Sequence, residues 1–145
     1  MLFNVVVAVA QAIVTITLAR VLLAVPVRFD LLPLLAVAVV VGTAGWFFFY
    51  AIFALWIRRN DAFNTVTSIF YFAFLFASSM FYPLDPLPRF FRWFAYANPI
   101  TWHVDVLRYA TIGAGGSWIA LEAAAFFTFT VVAFAGALAV LQRQE

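Results

Sequence analysis

The chain has 145 residues, of which 68% are hydrophobic and only 10% are charged, and its formal net charge is +2. Soluble domains carry about 45–50% apolar and about 25% charged residues. A fold of this size also leaves a large share of its surface in contact with solvent. The composition therefore excludes an ordinary soluble protein and predicts a protein that lies in a lipid bilayer.

Composition also excludes several kinds of function. All eight basic residues are arginines, and only Arg58 and Arg59 are adjacent, so there is no basic face for a nucleic acid. The chain has no cysteine, and His103 is its only histidine, so an ordinary metal site or thiol chemistry is not expected. We predict that His103 lies at the membrane interface. The phosphate-binding loop of the G-x-x-x-x-G-K-[ST] type needs a lysine, which the chain lacks. We expect no catalytic residue, metal, cofactor or nucleic-acid partner, and no enzyme activity.

The first two apolar runs are long enough to cross a bilayer, which takes roughly 20 helical residues. The first covers about 2–25 and is followed by Pro26, which cannot continue a helix. The second covers about 31–57 and stops at Arg58 and Arg59. Both runs are continuous, whereas the strands of membrane barrels alternate in segments of about ten residues. The pattern therefore predicts helices.

Two further apolar runs follow, at about 62–82 and 117–141. Together with the first two, they predict an all-α membrane protein with about four transmembrane helices. We expect residues 1–145 to form one transmembrane domain. Arginine counts on the two sides of the membrane nearly balance. Discounting Arg89, Arg92 and Arg108, which lie in the candidate interfacial segment, slightly favours a cytoplasmic Arg58–Arg59 loop.

The stretch before the last helix differs from the spans. Four prolines exclude one continuous helix here, and they are Pro83, Pro86, Pro88 and Pro99. Arg89 and Arg92 share one helix face among aromatic residues, which is typical of a helix at headgroup depth. We predict a re-entrant or interfacial pair of short helices over about 86–111, with Asn98 capping the second helix.

The order of motifs in this stretch resembles the ABC-2 type permeases, which are the membrane subunits of ATP-driven exporters. The resemblance rests on Ser78-Ser79-Met80-Phe81-Tyr82-Pro83, a Pro-Leu turn closed by Pro88, Asn98-Pro99-Ile100-Thr101, and Asp105-Val106-Leu107-Arg108. Its motifs cover about residues 58–108, and hydropathy agrees over the whole chain. Ser79 stands where the family often has glycine.

This resemblance implies a permease that exports a drug, a lipid or a polysaccharide by alternating access in the cell membrane. It also implies a separate cytoplasmic ABC ATPase, and a homodimer or a pairing with another permease. The family's permeases are typically six-helix proteins, so the chain would correspond to the last four helices. A second hypothesis is a truncated, non-transporting membrane protein or an assembly factor.

Each of two groups of charged residues has two possible roles. Arg58, Arg59 and Asp61 either face the ATPase or only set the topology. Asp105 and Arg108 are three residues apart, so they can pair on a helix. That pair either lines the outer end of a transport path or is a local ion pair, and we favour the local pair. The predicted motif residues are Pro83, Pro88, Asn98, Pro99, Thr101, Asp105 and Arg108.

Overall fold

The computed structural model of the protein describes residues 1–81, 84 and 86–143. These residues form α-helices and one short 3₁₀ helix, Phe29–Leu31, and the described part of the chain contains no strand. The α-helices are, in chain order, α1 Leu2–Leu23, α2 Leu32–Trp56, α3 Asn60–Phe76, α4 Arg89–Tyr96, α5 Pro99–Ile112 and α6 Ile119–Gln142. The predicted all-α membrane fold is confirmed.

Three segments of the described chain are long and apolar enough to cross a membrane: α1, the 3₁₀ helix with α2, and α6. They correspond to the first, second and fourth predicted spans. The third predicted span, 62–82, is a helix of 17 residues that ends at Phe76, and Tyr82 lies outside the described residues. The helix ends early where the Ser78 hydroxyl donates to the carbonyl oxygen of Leu75 (2.7 Å), a local bond that competes with helix continuation.

The core of the bundle lies where α2 packs against α6, the most extensive helix contact in the described structure. Gly45 of α2 leaves no room for a Cβ atom, which would come within 2.5 Å of Thr130 Oγ1 on α6. On α6, Ala133 and Ala137 are buried. Small residues let helix backbones approach closely in a membrane, where lipid supplies little hydrophobic driving force and close packing supplies the attraction.

Aromatic rings connect α3 to this core. The ring of Phe74, near the end of α3, lies 6.1 Å from Trp46 of α2, centroid to centroid. Trp46 also contacts Phe129 of α6 at 5.2 Å. Such ring pairs contribute about 0.5–1.5 kcal/mol each beyond their burial. Trp46 lies near the middle of α2, so α3 ends close to the mid-level of that helix.

Helix α1 lies at the edge of the bundle. It packs mainly against α2, its Arg20 lies over the ring of Phe29 in the 3₁₀ helix at 4.7 Å, and none of its residues is buried. It ends at Ala24, which has a left-handed φ of 51°. The apolar side chains of α1 therefore face lipid or another chain over most of the helix.

Helix α5 runs from the α1–α2 turn into the middle of the molecule. At its C-terminal end, the Arg28 amide donates to the carbonyl oxygen of Thr111 (2.8 Å). Gly113 then ends the helix at φ +73°, in the left-handed region that glycine adopts without strain. Toward the other end, His103 packs against Gly42, close to the centre of α2. Because α5 has 14 residues, it rises by up to about 21 Å between these levels.

Candidate functional site

The segment predicted over 86–111 contains α4 and α5, and prolines mark where both helices start. Pro88 is the N-cap residue of α4, and Pro99 is the first residue of α5. Proline is tolerated at a helix start because the first amides have no intrahelical acceptor. Pro83 lies outside the described residues. The helix break predicted from the other prolines is therefore present.

Asn98 joins the end of α3 to the start of α5. Its Oδ1 accepts from the amide of Ile100 (2.9 Å), which caps α5 as predicted. Its Nδ2 donates to the carbonyl oxygens of Phe74 (2.6 Å) and Ala77 (2.8 Å) at the end of α3. The residue is 4% exposed. One amide side chain thus satisfies backbone groups from two helix ends that meet inside the bundle.

Thr101 and the Ser78–Ser79 turn complete this junction. Thr101 is fully buried, and its Oγ1 accepts from the amide of Ser79 (3.2 Å). Ser78 is also fully buried, and its hydroxyl accepts from the amide of Met80 (3.3 Å). Irregular backbone within a membrane is tolerated only where protein or water satisfies its polar groups. The Asn98, Thr101 and Ser78 side chains supply those partners.

The Asp105–Arg108 ion pair is present, with Arg108 Nη1 donating to Asp105 Oδ1 at 2.8 Å. It is not only local, because both partners also contact Ser79. The Ser79 hydroxyl donates to Asp105 Oδ1 (3.0 Å), and Arg108 Nη2 donates to the carbonyl oxygen of Ser79 (3.2 Å). Sequence reasoning treated Ser79 only as a departure from glycine and missed this role. The pair therefore holds α5 to the turn that follows α3.

A cavity of about 620 Å³ opens beside this ion pair. Its polar lining comes from Ser79, Asp105, Arg108 and Glu122. Its remaining lining is mainly apolar, aromatic or glycine, and consists of Met80, Phe81, Leu84, Tyr96, Ala114, Gly115, Gly116 and Trp118. The volume is in the range of pockets that enclose small organic ligands. Both interpretations of the Asp105–Arg108 pair thus have a structural basis, since the pair holds the junction and also lines the cavity.

His103 does not lie at the interface as predicted. Its ring is stacked on Phe126 of α6, with centroids 4.6 Å apart and planes 7° apart, and it also contacts Gly42 and the Ala38 backbone of α2. A glycine opposite the ring gives the imidazole room between α2 and α6. Sequence spacing alone gives no signal for this contact.

The other end of the bundle, where α2 ends and α3 begins, carries Arg58, Arg59 and Asp61, and all three are exposed. Arg59 is the N-cap residue of α3, and Asp61 lies in the first turn of that helix. An acidic residue there is favoured by the positive end of the helix dipole. The structure does not bring this group near the Asn98 junction.

Three described segments are long and apolar enough to cross a membrane, and the shorter helices α3 and α5 meet at the buried junction. These features define an integral membrane protein. A sequence model of the ABC-2 type transporter family matches residues 1–112, from α1 to the end of α5. The chain therefore belongs to this family, and it is a membrane permease of an ABC transporter. The family implies pairing with a cytoplasmic ABC ATPase. Comparison with curated proteins and with solved structures gave no match.

Proposed function

We propose that the chain is the permease subunit of an ATP-driven exporter in the cell membrane. The family match over residues 1–112 is the observation that carries this proposal. In it, two copies, or one copy and another permease, enclose the transport path, and a separate ATPase drives alternating access. The cargo is a drug, a lipid or a polysaccharide, and the cavity beside Asp105 and Arg108 forms the outer end of the path.

A second part of the proposal is that the loop of Arg58, Arg59 and Asp61 is cytoplasmic and contacts the ATPase. The exposure of all three residues supports it. A single cysteine replacing Asn60 should resist a membrane-impermeant thiol reagent in intact cells, and one replacing Gly115 should react. The chain has no native cysteine, so labelling reports only the introduced position. Rapid labelling at position 60 with protection at position 115 would reverse the orientation.

Purification tests the subunit assignment. Tagged chain extracted from its own host's membranes should retain an ABC ATPase and hydrolyse ATP in a vanadate-sensitive manner. The chain stripped of that ATPase should have no activity, because its sequence contains no lysine for the usual phosphate loop. The Arg58→Glu/Arg59→Glu variant should lose the ATPase, and the Arg143→Glu variant serves as the single-charge control. Purification without any ATPase would favour the non-transporting alternative.

A further inference from the structure

Helix α4 carries two arginines that the proposed transport function does not use. Arg89 and Arg92 are three residues apart, so they lie on one face of the helix. Neither forms an ion pair in the described part of the chain, whereas Arg28 and Arg108 each pair with a nearby aspartate. Nε of Arg92 is shielded from solvent and has no acceptor among the described residues. Among the residues that the structure describes, no acidic side chain pairs with either of these two positive charges.

Both arginines line one cleft of about 260 Å³, and the other described residues that line it are Trp93 and Tyr96. No acidic residue is among those four. The cleft is smaller than the about 300–1,000 Å³ of pockets that enclose a drug-sized ligand. It has room for a small anionic group. Guanidinium groups bind phosphate oxygens through paired N–H donors, which makes phosphate the fitting chemistry.

The rest of α4 indicates where that phosphate comes from. The rings of Phe90, Phe91, Trp93 and Phe94 are 57–71% exposed, whereas Ala95 is buried. A helix with arginines on one face and bare aromatic rings around it is typical of the membrane interface. Acyl chains cover such rings, while a free phosphate ion would leave them in water. The aromatic rings therefore favour a lipid over a dissolved ion.

We propose that the cleft on α4 binds the phosphate group of an anionic phospholipid, with Arg89 and Arg92 as donors. The exposed rings of α4 lie against the acyl chains of the same and neighbouring lipids. A zwitterionic lipid brings its own cation to the headgroup, which competes with the two arginines for the phosphate. The site requires only that the chain lies in a bilayer, so it is independent of the direction of transport and of the cargo.

Native mass spectrometry of the full chain in mild detergent tests the site with phosphatidylglycerol and phosphatidylcholine that have the same acyl chains. We expect tighter binding of phosphatidylglycerol. An arginine near a charged membrane surface changes binding about fivefold, so the Arg89→Gln/Arg92→Gln variant should lose roughly 25-fold in affinity. The Arg143→Gln variant removes a positive charge that lies outside the cleft and should bind phosphatidylglycerol like the unmodified chain.

The conservative variants distinguish a guanidinium site from a general positive charge. Arg89→Lys and Arg92→Lys keep the charge but lose the paired donors. Each should therefore bind less phosphatidylglycerol than the unmodified chain, but more than the single variant Arg89→Gln or Arg92→Gln at the same position. They also provide the measurement if the double glutamine variant does not fold. Equal binding of both lipids, unchanged binding in all α4 variants, or displacement of the lipid by millimolar inorganic phosphate would overturn the proposal.

Discussion

The α2–α6 contact and the junction of α3 with α5 are held together in different ways. In the first, two continuous helices approach through small residues such as Gly45 and Ala133, and aromatic rings fill the remaining space. In the second, two helix ends meet inside the bundle, and side-chain hydrogen bonds from Asn98 and Thr101 join them. Small side chains allow the first contact to form, and hydrogen-bonding side chains hold the second together.

This difference gives a physical reason why the motif residues of the sequence resemblance lie at the junction. A continuous helix satisfies its own backbone, so many combinations of small and apolar residues can pack on α2. A helix that ends in the membrane leaves carbonyl and amide groups that only particular side chains can reach. Asn98, Thr101 and Asp105 all belong to the motif, and all three bond to the α3 end or the turn after it.

The largest expected effect comes from breaking the junction at Asn98. Asn98→Ala removes the cap of α5 and leaves the Phe74 and Ala77 carbonyl oxygens without this donor. A lost cap costs about 1 kcal/mol, and each of the two unsatisfied carbonyl groups about 1–3 kcal/mol, so we expect a loss of about 3–7 kcal/mol. The free energy of unfolding in detergent measures it.

Asn64→Ala is the matched control for that variant, because Asn64 lies exposed on α3. It should change stability by less than about 0.5 kcal/mol, as exposed substitutions usually do. Equal loss of stability in the two variants would mean that Asn98 does not join the helices.

Overpacking the contact between α2 and His103 of α5 should cost less than breaking the junction. Gly42→Ala places a Cβ atom where the His103 ring lies, so either the ring or α5 must move. Overpacking of this kind costs about 1–3 kcal/mol. Chemical denaturation of the two single variants and of Gly42→Ala/His103→Ala forms a double-mutant cycle. If the ring is the obstacle, adding the alanine at position 42 should cost nothing once the imidazole is absent.

A glycine elsewhere in the bundle sharpens the same comparison. In Gly136→Ala the new Cβ meets the Ile52 side-chain end at 3.0 Å, which a flexible side chain can relieve. Alanine also gains up to about 1 kcal/mol of helix propensity over glycine. We expect this variant to be at least as stable as the unmodified chain. A loss as large as that of Gly42→Ala would mean that the contact of Gly136 with Ile52 is as tight as that of Gly42 with His103.

A smaller loss of stability is expected when one hydrogen bond of the junction is removed at Ser79. Ser79→Ala removes the hydroxyl that donates to Asp105 but keeps the backbone contacts with Thr101 and Arg108. One hydrogen bond contributes about 1 kcal/mol. The same substitution in an Asp105→Ala background should cost almost nothing, because its acceptor is then absent. An undiminished cost in that background would contradict the contact.

Much of the fold follows from hydropathy, because a long apolar run has few alternatives to a membrane helix. The first, second and fourth predicted spans are present as helices, and the breaks at Pro88 and Pro99 follow from the missing amide of proline. The Asp105–Arg108 pair follows from i,i+3 spacing. These features depend on local sequence.

Features that depend on contacts between distant residues were not predicted. Helix α3 stops at Phe76 although the apolar run continues, and its terminal carbonyl groups are bonded by Asn98, 22 residues further along the chain. The placement of His103 depends on a glycine at position 42, which spacing cannot connect to it. The role of Ser79 likewise requires that α5 lies beside the turn after α3.

Helix α3 connects the exposed loop at one end of the molecule to the junction inside the bundle. It begins at Arg59, in the exposed loop, and its far end is bonded to the start of α5 through Asn98. Its contacts with α2 are few compared with those of α6. A helix of 17 residues spans about 25 Å. If the ATPase acts on that loop as proposed, we expect an axial displacement of α3 to reach α5 directly through Asn98.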